Sequence, residues 1–206
     1  MILDGKTIAA KIFAELRMRP APEKTLAAAL AGDDPASVSF VQQKQKAAER
    51  LGVRFKLFQF PATITTEAFA EEVARLGENQ NIGGIIVQLP LPRHLDRDRV
   101  LAVLPAAKDV DALRGPHHGI YPPAVGVLRV IIARLALDLR GKQVVMLGPG
   151  FLVGQPIAEY LKDKVLNLDV FGKDADPTVL ASALKKADMV ISGVGSPGLI
   201  HGNALK

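Results

Sequence analysis

Apolar positions recur along this chain with two periods, every third or fourth residue in some segments and every second residue in others. The first period is typical of an amphipathic helix and the second of a half-buried strand. Segment 25–31 (TLAAALA) is ambiguous, because alanine favours a helix while the short length and the GDDP turn that follows favour a buried strand. We predict a strand there.

Two series of elements are predicted, separated by the turn RGPHHGIYPP. The first comprises helix 5–17, strand 25–31, helix 35–51, strand 53–60, helix 66–76 ended by Gly77, strand 85–88 and a helix after Asp96. The second comprises a helix from about 125, strand 143–147, a helix from about 153, strand 165–171, helix 177–186 and strand 189–192.

Strands that alternate with helices form parallel sheets. We therefore predict an α/β fold of two domains, 1–121 and 122–206, each with a parallel sheet and with a cleft between them. The second domain is expected to be Rossmann-like, because a glycine turn connects its strand 143–147 to the next helix.

Composition limits the class and the location of the protein. With 206 residues and 49% apolar content, the chain can bury a substantial core. Cysteine is absent, which excludes disulfides and the usual structural zinc sites, and we expect no metal site. Segment 124–137 is apolar but too short and too charged to span a bilayer, and Asp4 does not suit a signal peptide. We expect a cytoplasmic protein with no membrane partner.

The charge distribution bears on the partner. A net charge of +5 suits an acidic small molecule. The 26 basic and 21 acidic residues are spread along the chain without a basic cluster or interleaved aromatic residues, so no nucleic-acid partner is expected.

A lysine interrupts the predicted apolar stripe of the helix after Asp34. Phe40, Lys44, Ala47 and Leu51 fall on one side of this helix. The lysine either extends along the edge of the stripe with its amine in water, or presents a partly desolvated amine suited to proton transfer near neutral pH.

Gln88 and Asp111 are two further candidates for ligand contacts. Gln88 ends a buried strand, and ligands lie outside the carboxyl ends of parallel strands, although a polar cap on the strand is an equal interpretation. In KDVD, Asp109 suits a turn, which leaves Asp111 as the candidate ligand acceptor.

The stretch VVMLGPGFLVGQP resembles a phosphate-binding turn. Gly148, Gly150 and Gly154 are spaced G-x-G-x-x-x-G, one residue longer than the usual dinucleotide fingerprint, and Pro149 removes an amide donor. The turn either binds a nucleotide or serves only to connect strand and helix tightly.

Six segments, in order, carry a family resemblance: DGKTIAAKI, GDDPASVSFVQQKQKA, GGIIVQLPLP, KDVD, GKQVVMLGPGFLVGQPIA and ADMVISGVGSPGLI. Through them the chain resembles the bifunctional methylenetetrahydrofolate dehydrogenase/cyclohydrolase family. Such enzymes oxidise 5,10-methylenetetrahydrofolate with a nicotinamide cofactor, usually NADP, and hydrolyse the methenyl product to 10-formyltetrahydrofolate. NADP is therefore the implied cofactor, with NAD as the other option, and tetrahydrofolate derivatives are the implied substrates.

The resemblance also implies roles for individual residues. The catalytic lysine falls on Lys44, the glutamine that hydrogen-bonds it falls on Gln88, and the aspartate that holds the pterin falls on Asp111. Substrate contacts fall on Phe40, Asp111, Leu89 and Pro90. Cofactor contacts fall on Gly148, Pro149, Gly150, Gly154 and Lys173, although Asp174 beside Lys173 suits a ribose diol instead of a 2′-phosphate. A homodimer through strand 165–171, with Leu168 at the contact, is also implied, and a core position for Leu168 is the alternative.

The chain departs from the family at several positions. Phe40 replaces a tyrosine, Ala112 replaces the glycine after KDVD, and Pro149 and Gly150 replace an Arg-Ser pair. The family's Cys-Thr-Pro reads Pro122, Pro123 and Ala124, and Lys206 precedes the family's final strand, loop and helix. The natural protein either continues beyond this point or is a shortened homologue.

These departures leave more than one function open. The first interpretation is an active enzyme with weakened cofactor binding. The second is a non-catalytic folate- or nucleotide-binding homologue or assembly subunit. A third, an unrelated nicotinamide-dependent dehydrogenase, explains the glycine turn but not VQLPLP or the lysine helix.

Overall fold

The structure is a computed structural model that describes residues 2–196 and 198–205. Pro197 of the last quoted segment and Lys206 at the end of the second predicted domain lie outside the described residues, as does Met1. The chain divides into two compact units, Met1–Arg114 and Gly115–Lys206.

The first unit is a three-stranded parallel sheet with the strand order β2-β1-β3. In this order β1 is central, and Ala28 lies between Leu57 on one side and Ile86 on the other. The elements of this unit are α1 (Gly5–Arg17), β1 (Thr25–Ala31), α2 (Pro35–Arg50), β2 (Phe55–Phe60), α3 (Thr66–Glu78), β3 (Ile82–Val87) and α4 (Arg97–Ala102), followed by a 3-10 turn at Ala106–Lys108.

Segment 25–31 is the strand that its context predicted, despite its alanines. Ala27, Ala28 and Ala29 have no exposed surface, and both α2 and α3 contact this strand. Ala28 joins Val41 of α2 and Ile86 of β3 in one apolar cluster. Small side chains at the centre of the sheet let the helices approach closely, and tertiary packing outweighs the helix propensity of alanine.

The second unit repeats the plan with the strand order β5-β4-β6, again all parallel. Val144 and Met146 of the central strand belong to the apolar cluster with α5 and α6, while Val145 and Leu147 belong to the cluster with α7. The sheet is therefore covered on both faces. The elements are α5 (Pro123–Arg134), β4 (Gln143–Leu147), α6 (Gly154–Leu161), β5 (Asn167–Phe171), α7 (Pro177–Lys186) and β6 (Met189–Ser192), followed by a 3-10 turn at Gly202–Ala204.

The predicted α/β class with two parallel sheets is confirmed, while several element bounds differ. β3 begins at Ile82, and Gln88 lies one residue beyond its end. β2 and β5 begin two residues later than predicted, at Phe55 and Asn167.

Gly77 does not end α3 but lies within it. A Cβ there would lie 2.7 Å from Pro105 Cγ, so this glycine serves helix packing rather than termination. The predicted cleft between the domains stays a prediction. Within the described ranges, the helices are all too short or too polar to cross a membrane.

Candidate functional site

In each unit the first strand in sequence is the central strand of the sheet, and the next two strands are added on opposite sides of it. β1 is followed by β2 on one side and then by β3 on the other, and β4, β5 and β6 repeat this order. Ligands of such sheets bind beyond the carboxyl ends of the strands where the direction changes. Gln88 follows β3 and Gly148 follows β4, so the predicted residues lie at these two edges.

A lysine and an aspartate distant in sequence meet in the first unit. Lys44 Nζ donates to Asp111 Oδ2 at 2.9 Å, and the two side chains are 33% and 18% exposed. Asp34 begins the helix that carries Lys44 by accepting the backbone N–H of Ser37 at 2.8 Å. This hydrogen bond lowers the pKa of Asp34 below its usual value, since it favours the ionised carboxylate.

The buried carboxylate of Asp109 holds the turn that presents Asp111. Asp109 is 1% exposed and accepts the backbone N–H groups of Leu113 and Arg114 at 3.1 and 3.0 Å. Its backbone forms a parallel bridge with Ile85 of β3. Asp109 therefore has the turn-forming position that its spacing suggested, and the segment after it runs along the edge of β3.

Val110, between the two aspartates, packs closely against Gly84 of β3, a residue that sequence reasoning missed. Val110 packs on the cluster formed by Ala28, Val41 and Ile86. A Cβ added to Gly84 would lie 2.6 Å from Val110 Cγ1, so a larger residue in β3 would displace this segment. The signal was the Gly-Gly pair inside an apolar strand, which is typical of close backbone approach.

Gln88 is buried and partly unsatisfied. The residue is 6% exposed, its backbone N–H donates to Ala29 O at 2.9 Å, and its Nε2 donates to Leu89 O at 2.6 Å. Its Oε1 accepts no hydrogen bond. The predicted hydrogen bond between Gln88 and Lys44 is therefore not formed in this structure, in which Lys44 Nζ donates to Asp111 Oδ2.

The predicted apolar stripe of α2 is displaced by one position. Ser37, Val41 and Ala48 are the buried residues of this helix, whereas Phe40 is 59% exposed. Val41 faces the sheet, so Phe40 and Lys44 lie at the margin of the buried face. Lys44 keeps a partly exposed amine in an ion pair, and Phe40 presents its ring to solvent one helical turn before it.

The segment after β3 supplies the remaining residues predicted at this site. Leu89 is buried and is joined to Pro90 by a cis peptide bond, while Pro90 is exposed. Both follow Gln88 directly, beyond the carboxyl end of β3.

The glycine turn of the second unit is tightly folded on itself. Gly148 has φ +77°, and its carbonyl oxygen accepts the N–H of Gly150 at 2.8 Å. A Cβ on Gly154 would lie 2.0 Å from Gly148 O, so only glycine lets α6 begin this close to the strand. Pro149 has no N–H, and the N–H of Gly150 is used within the turn.

The loop after β6 closes over the same turn. A Cβ on Gly148 would lie 2.6 Å from Val194 Cγ1, and one on Gly193 would lie 3.2 Å from Gly148 O. Gly193 and Val194 are thus part of this edge although sequence reasoning did not single them out. Lys173 is exposed and lies two residues beyond Phe171, the end of β5.

The strand order and the glycine turn of the second unit indicate the class of protein. Among residues 2–196 and 198–205, no three His, Asp or Glu side chains are grouped so as to hold a metal ion. The second unit has the strand order and glycine turn of a dinucleotide-binding fold. The fold and the turn therefore define a two-unit α/β protein whose second unit is of the dinucleotide-binding type.

Comparison with known proteins makes this class specific. The family model described as "Tetrahydrofolate dehydrogenase/cyclohydrolase, catalytic domain" matches residues 3–111, and the model described as the "NAD(P)-binding domain" of the same family matches residues 122–206. The chain belongs to the tetrahydrofolate dehydrogenase/cyclohydrolase family, and the resemblance drawn from the six segments is confirmed. The interpretation as an unrelated dehydrogenase is wrong.

Curated relatives agree with the family models. The bifunctional protein FolD of Nautilia profundicola is 34% identical over 220 residues, and the match covers all of this chain and 76% of that protein. Bifunctional protein FolD 2 of Geobacter metallireducens is 35% identical over 227 residues, with the same coverage. None of these matches favours the non-catalytic alternative.

Solved structures show the same fold. The bifunctional FolD of Campylobacter jejuni superposes with a TM-score of 0.90 at 30% identity, covering all of this chain and 78% of that one. The Trypanosoma brucei enzyme, solved in complex with NADP cofactor and inhibitor, also gives 0.90, at 29% identity, with 100% and 75% coverage.

Proposed function

We propose that this chain acts in one-carbon folate metabolism, oxidising 5,10-methylenetetrahydrofolate with a nicotinamide cofactor and hydrolysing 5,10-methenyltetrahydrofolate to 10-formyltetrahydrofolate. The observations that carry the proposal are the Lys44–Asp111 pair and the buried Gln88, which follows the carboxyl end of β3. Family membership supplies the reaction, and these side chains supply groups suited to it.

In the hydrolysis, a water oxygen bonds to the methenyl carbon and the water loses a proton. The bond from that carbon to N5 then breaks as N5 gains a proton, and the new hydroxyl loses its remaining proton to become the formyl carbonyl, so that one proton is released overall. Lys44 is the proposed proton carrier in both steps, since its amine is partly exposed and anchored at the site. Asp111 is the proposed acceptor of hydrogen bonds from the pterin ring, and Phe40, Leu89 and Pro90 are its proposed apolar contacts.

The cofactor proposed for the second unit is NADP, with NAD as the other option. Gly148, Pro149, Gly150 and Gly154 form the turn that would face its pyrophosphate, since Gly150 has open space where a side chain would project. Exposed Lys173 would meet a 2′-phosphate. When bound, the nicotinamide accepts the hydride that leaves the methylene carbon.

The test of the catalytic assignment is Lys44→Met. Cyclohydrolase activity should fall by about 10²-fold or more, because general acid–base groups contribute that much, while folate binding stays measurable. Lys46→Met on the exposed face of the same helix is the matched control and should keep full activity. An unchanged rate for Lys44→Met would overturn the assignment, and Phe40→Tyr should raise the rate if a phenol is what the site lacks.

We further propose 1–121 and 122–206 as the functional domains, a cytoplasmic location and a homodimer. β5 is an edge strand of its sheet, and Val170 on it is 43% exposed, whereas Leu168 packs on the core cluster of Val144 and Met146. Val170, not Leu168, is therefore the apolar contact we now propose. Sedimentation at micromolar concentration should give a dimer that Val170→Glu dissociates, and a monomeric parent chain would contradict the proposal.

A further inference from the structure

Two side-chain oxygens of the first unit, Asp111 Oδ2 and Gln88 Oε1, differ in their hydrogen bonding. Asp111 Oδ2 is engaged by the Lys44 amine at 2.9 Å. Gln88 Oε1 is buried and accepts no hydrogen bond. A buried oxygen without a donor is unfavourable, so the unpaired Gln88 Oε1 calls for a physical explanation.

The pterin ring and the lysine require the same carboxylate. A pterin carries a ring N–H and an amino group side by side, which a carboxylate binds best with both oxygens. In the ligand-free protein one of these oxygens already holds Lys44. Binding of the ring through both oxygens would use the same oxygen, Asp111 Oδ2, that Lys44 now holds.

We propose that Asp111 restrains Lys44 in the ligand-free protein and that the pterin ring releases Lys44 by taking over this carboxylate. The inference rests on the proposed function of the site. Phe40, one turn before Lys44, offers no polar atom to the released amine. Gln88 Oε1 is the unoccupied acceptor at the same sheet edge, and its burial without a partner is explained if it receives the amine only after substrate is bound.

If Lys44 helped to hold the substrate, its removal would weaken binding of the pterin ring; the proposal predicts the opposite change in affinity. Removal of Lys44 should tighten binding of the ring, because the carboxylate no longer has to give up a partner. A partly exposed ion pair of this kind corresponds to a change of about two- to fivefold in affinity.

The experiment is a titration of pterin, which has no one-carbon bridge and no glutamate tail, followed by NMR. Lys44→Met should bind pterin about two- to fivefold more tightly than the parent chain, and Lys46→Met should bind it equally. On an Asp111→Asn background, Lys44→Met should change nothing further. Unchanged or weaker binding by Lys44→Met overturns the inference. If the parent chain binds neither pterin nor folic acid, the proposed function is overturned, and this inference is overturned with it.

A second measurement checks the restraint without any ligand. Competitive acetylation with acetic anhydride, read by mass spectrometry, gives the labelling ratio of Lys44 to Lys46 in one molecule. Asp111→Asn should raise this ratio at least about twofold, because an amine in an ion pair reacts more slowly. Asp138→Asn, which removes an exposed ion pair with Arg140 in the second unit, should leave it unchanged. An unchanged ratio in Asp111→Asn would show that the restraint is not present.

Discussion

At the scale of single residues, two aspartates separated by one valine have different structural roles. Asp109 is buried and accepts hydrogen bonds from the backbone N–H groups of Leu113 and Arg114, while Asp111 is partly exposed and pairs with Lys44. The distinction follows from burial, since a buried carboxylate must be saturated with hydrogen bonds and a partly exposed one keeps capacity for a ligand.

The close contact between Gly84 and Val110 leads to a prediction about stability. Gly84→Ala should lower the free energy of unfolding by about 1–3 kcal/mol, because the new Cβ would lie 2.6 Å from Val110 Cγ1 and must displace it. Val110→Ala removes that methyl group, so the double variant should lose less than the sum of the two single losses. Urea unfolding of all four chains measures the coupling, and strict additivity would contradict the contact.

At the scale of elements, each sheet edge is built from a strand, a turn and the helix that follows. The Asp34 cap and Pro35 begin α2 directly after the first edge, whereas α6 begins without a side-chain cap. In the second case the glycine turn itself sets where the helix begins, through the contact of Gly154 with Gly148 O.

The two glycines of this turn should respond differently to alanine. Gly154→Ala should destabilise the second unit by about 1–3 kcal/mol, because its Cβ would collide with backbone that cannot move aside. Gly150→Ala, where no atom lies within 4 Å of the added Cβ, should change stability by no more than about 0.5 kcal/mol. Thermal and denaturant unfolding compare the pair, and equal losses would refute this account of the turn.

At the scale of the whole molecule, the described apolar clusters each lie within one unit. Val41 and Ile86 belong to the first, and Met146 and Leu184 belong to clusters of the second. Each unit therefore has its own core and its own sheet edge, so changes to the glycine turn should leave Lys44, Gln88 and Asp111 in place.

We predict that this division lets cofactor binding weaken while cyclohydrolase chemistry persists. Pro149 lacks an amide donor and the Gly150 N–H bonds within the turn, so the phosphates lose at least one charge-assisted hydrogen bond. Such a loss corresponds to roughly 10- to 100-fold in affinity. Calorimetric titration with NADP and with NAD should show binding weaker than micromolar. The variant Pro149→Arg with Gly150→Ser should tighten NADP binding, and micromolar NADP binding by the parent chain would show that the turn is competent as it stands.

The sequence by itself determined the elements and their order. Helix 5–17, strand 25–31, helix 177–186 and strand 189–192 have the predicted bounds, because periodicity, caps and turns act over a few residues. Alternation of strand and helix then required parallel sheets, and the positions of Gln88 and Gly148 at strand ends marked the two edges.

Only the tertiary structure decided which side chains meet. Lys44 and Asp111 are 67 residues apart, and their contact depends on how the segment after Asp109 runs along β3. Gly77 was misread as a helix end because its partner, Pro105, is distant in sequence. The buried stripe of α2 was displaced for the same reason, since a helix face is chosen by the sheet beneath it and not by its own periodicity alone. Contacts over such separations are set by the packing of complete elements, which local patterns do not encode.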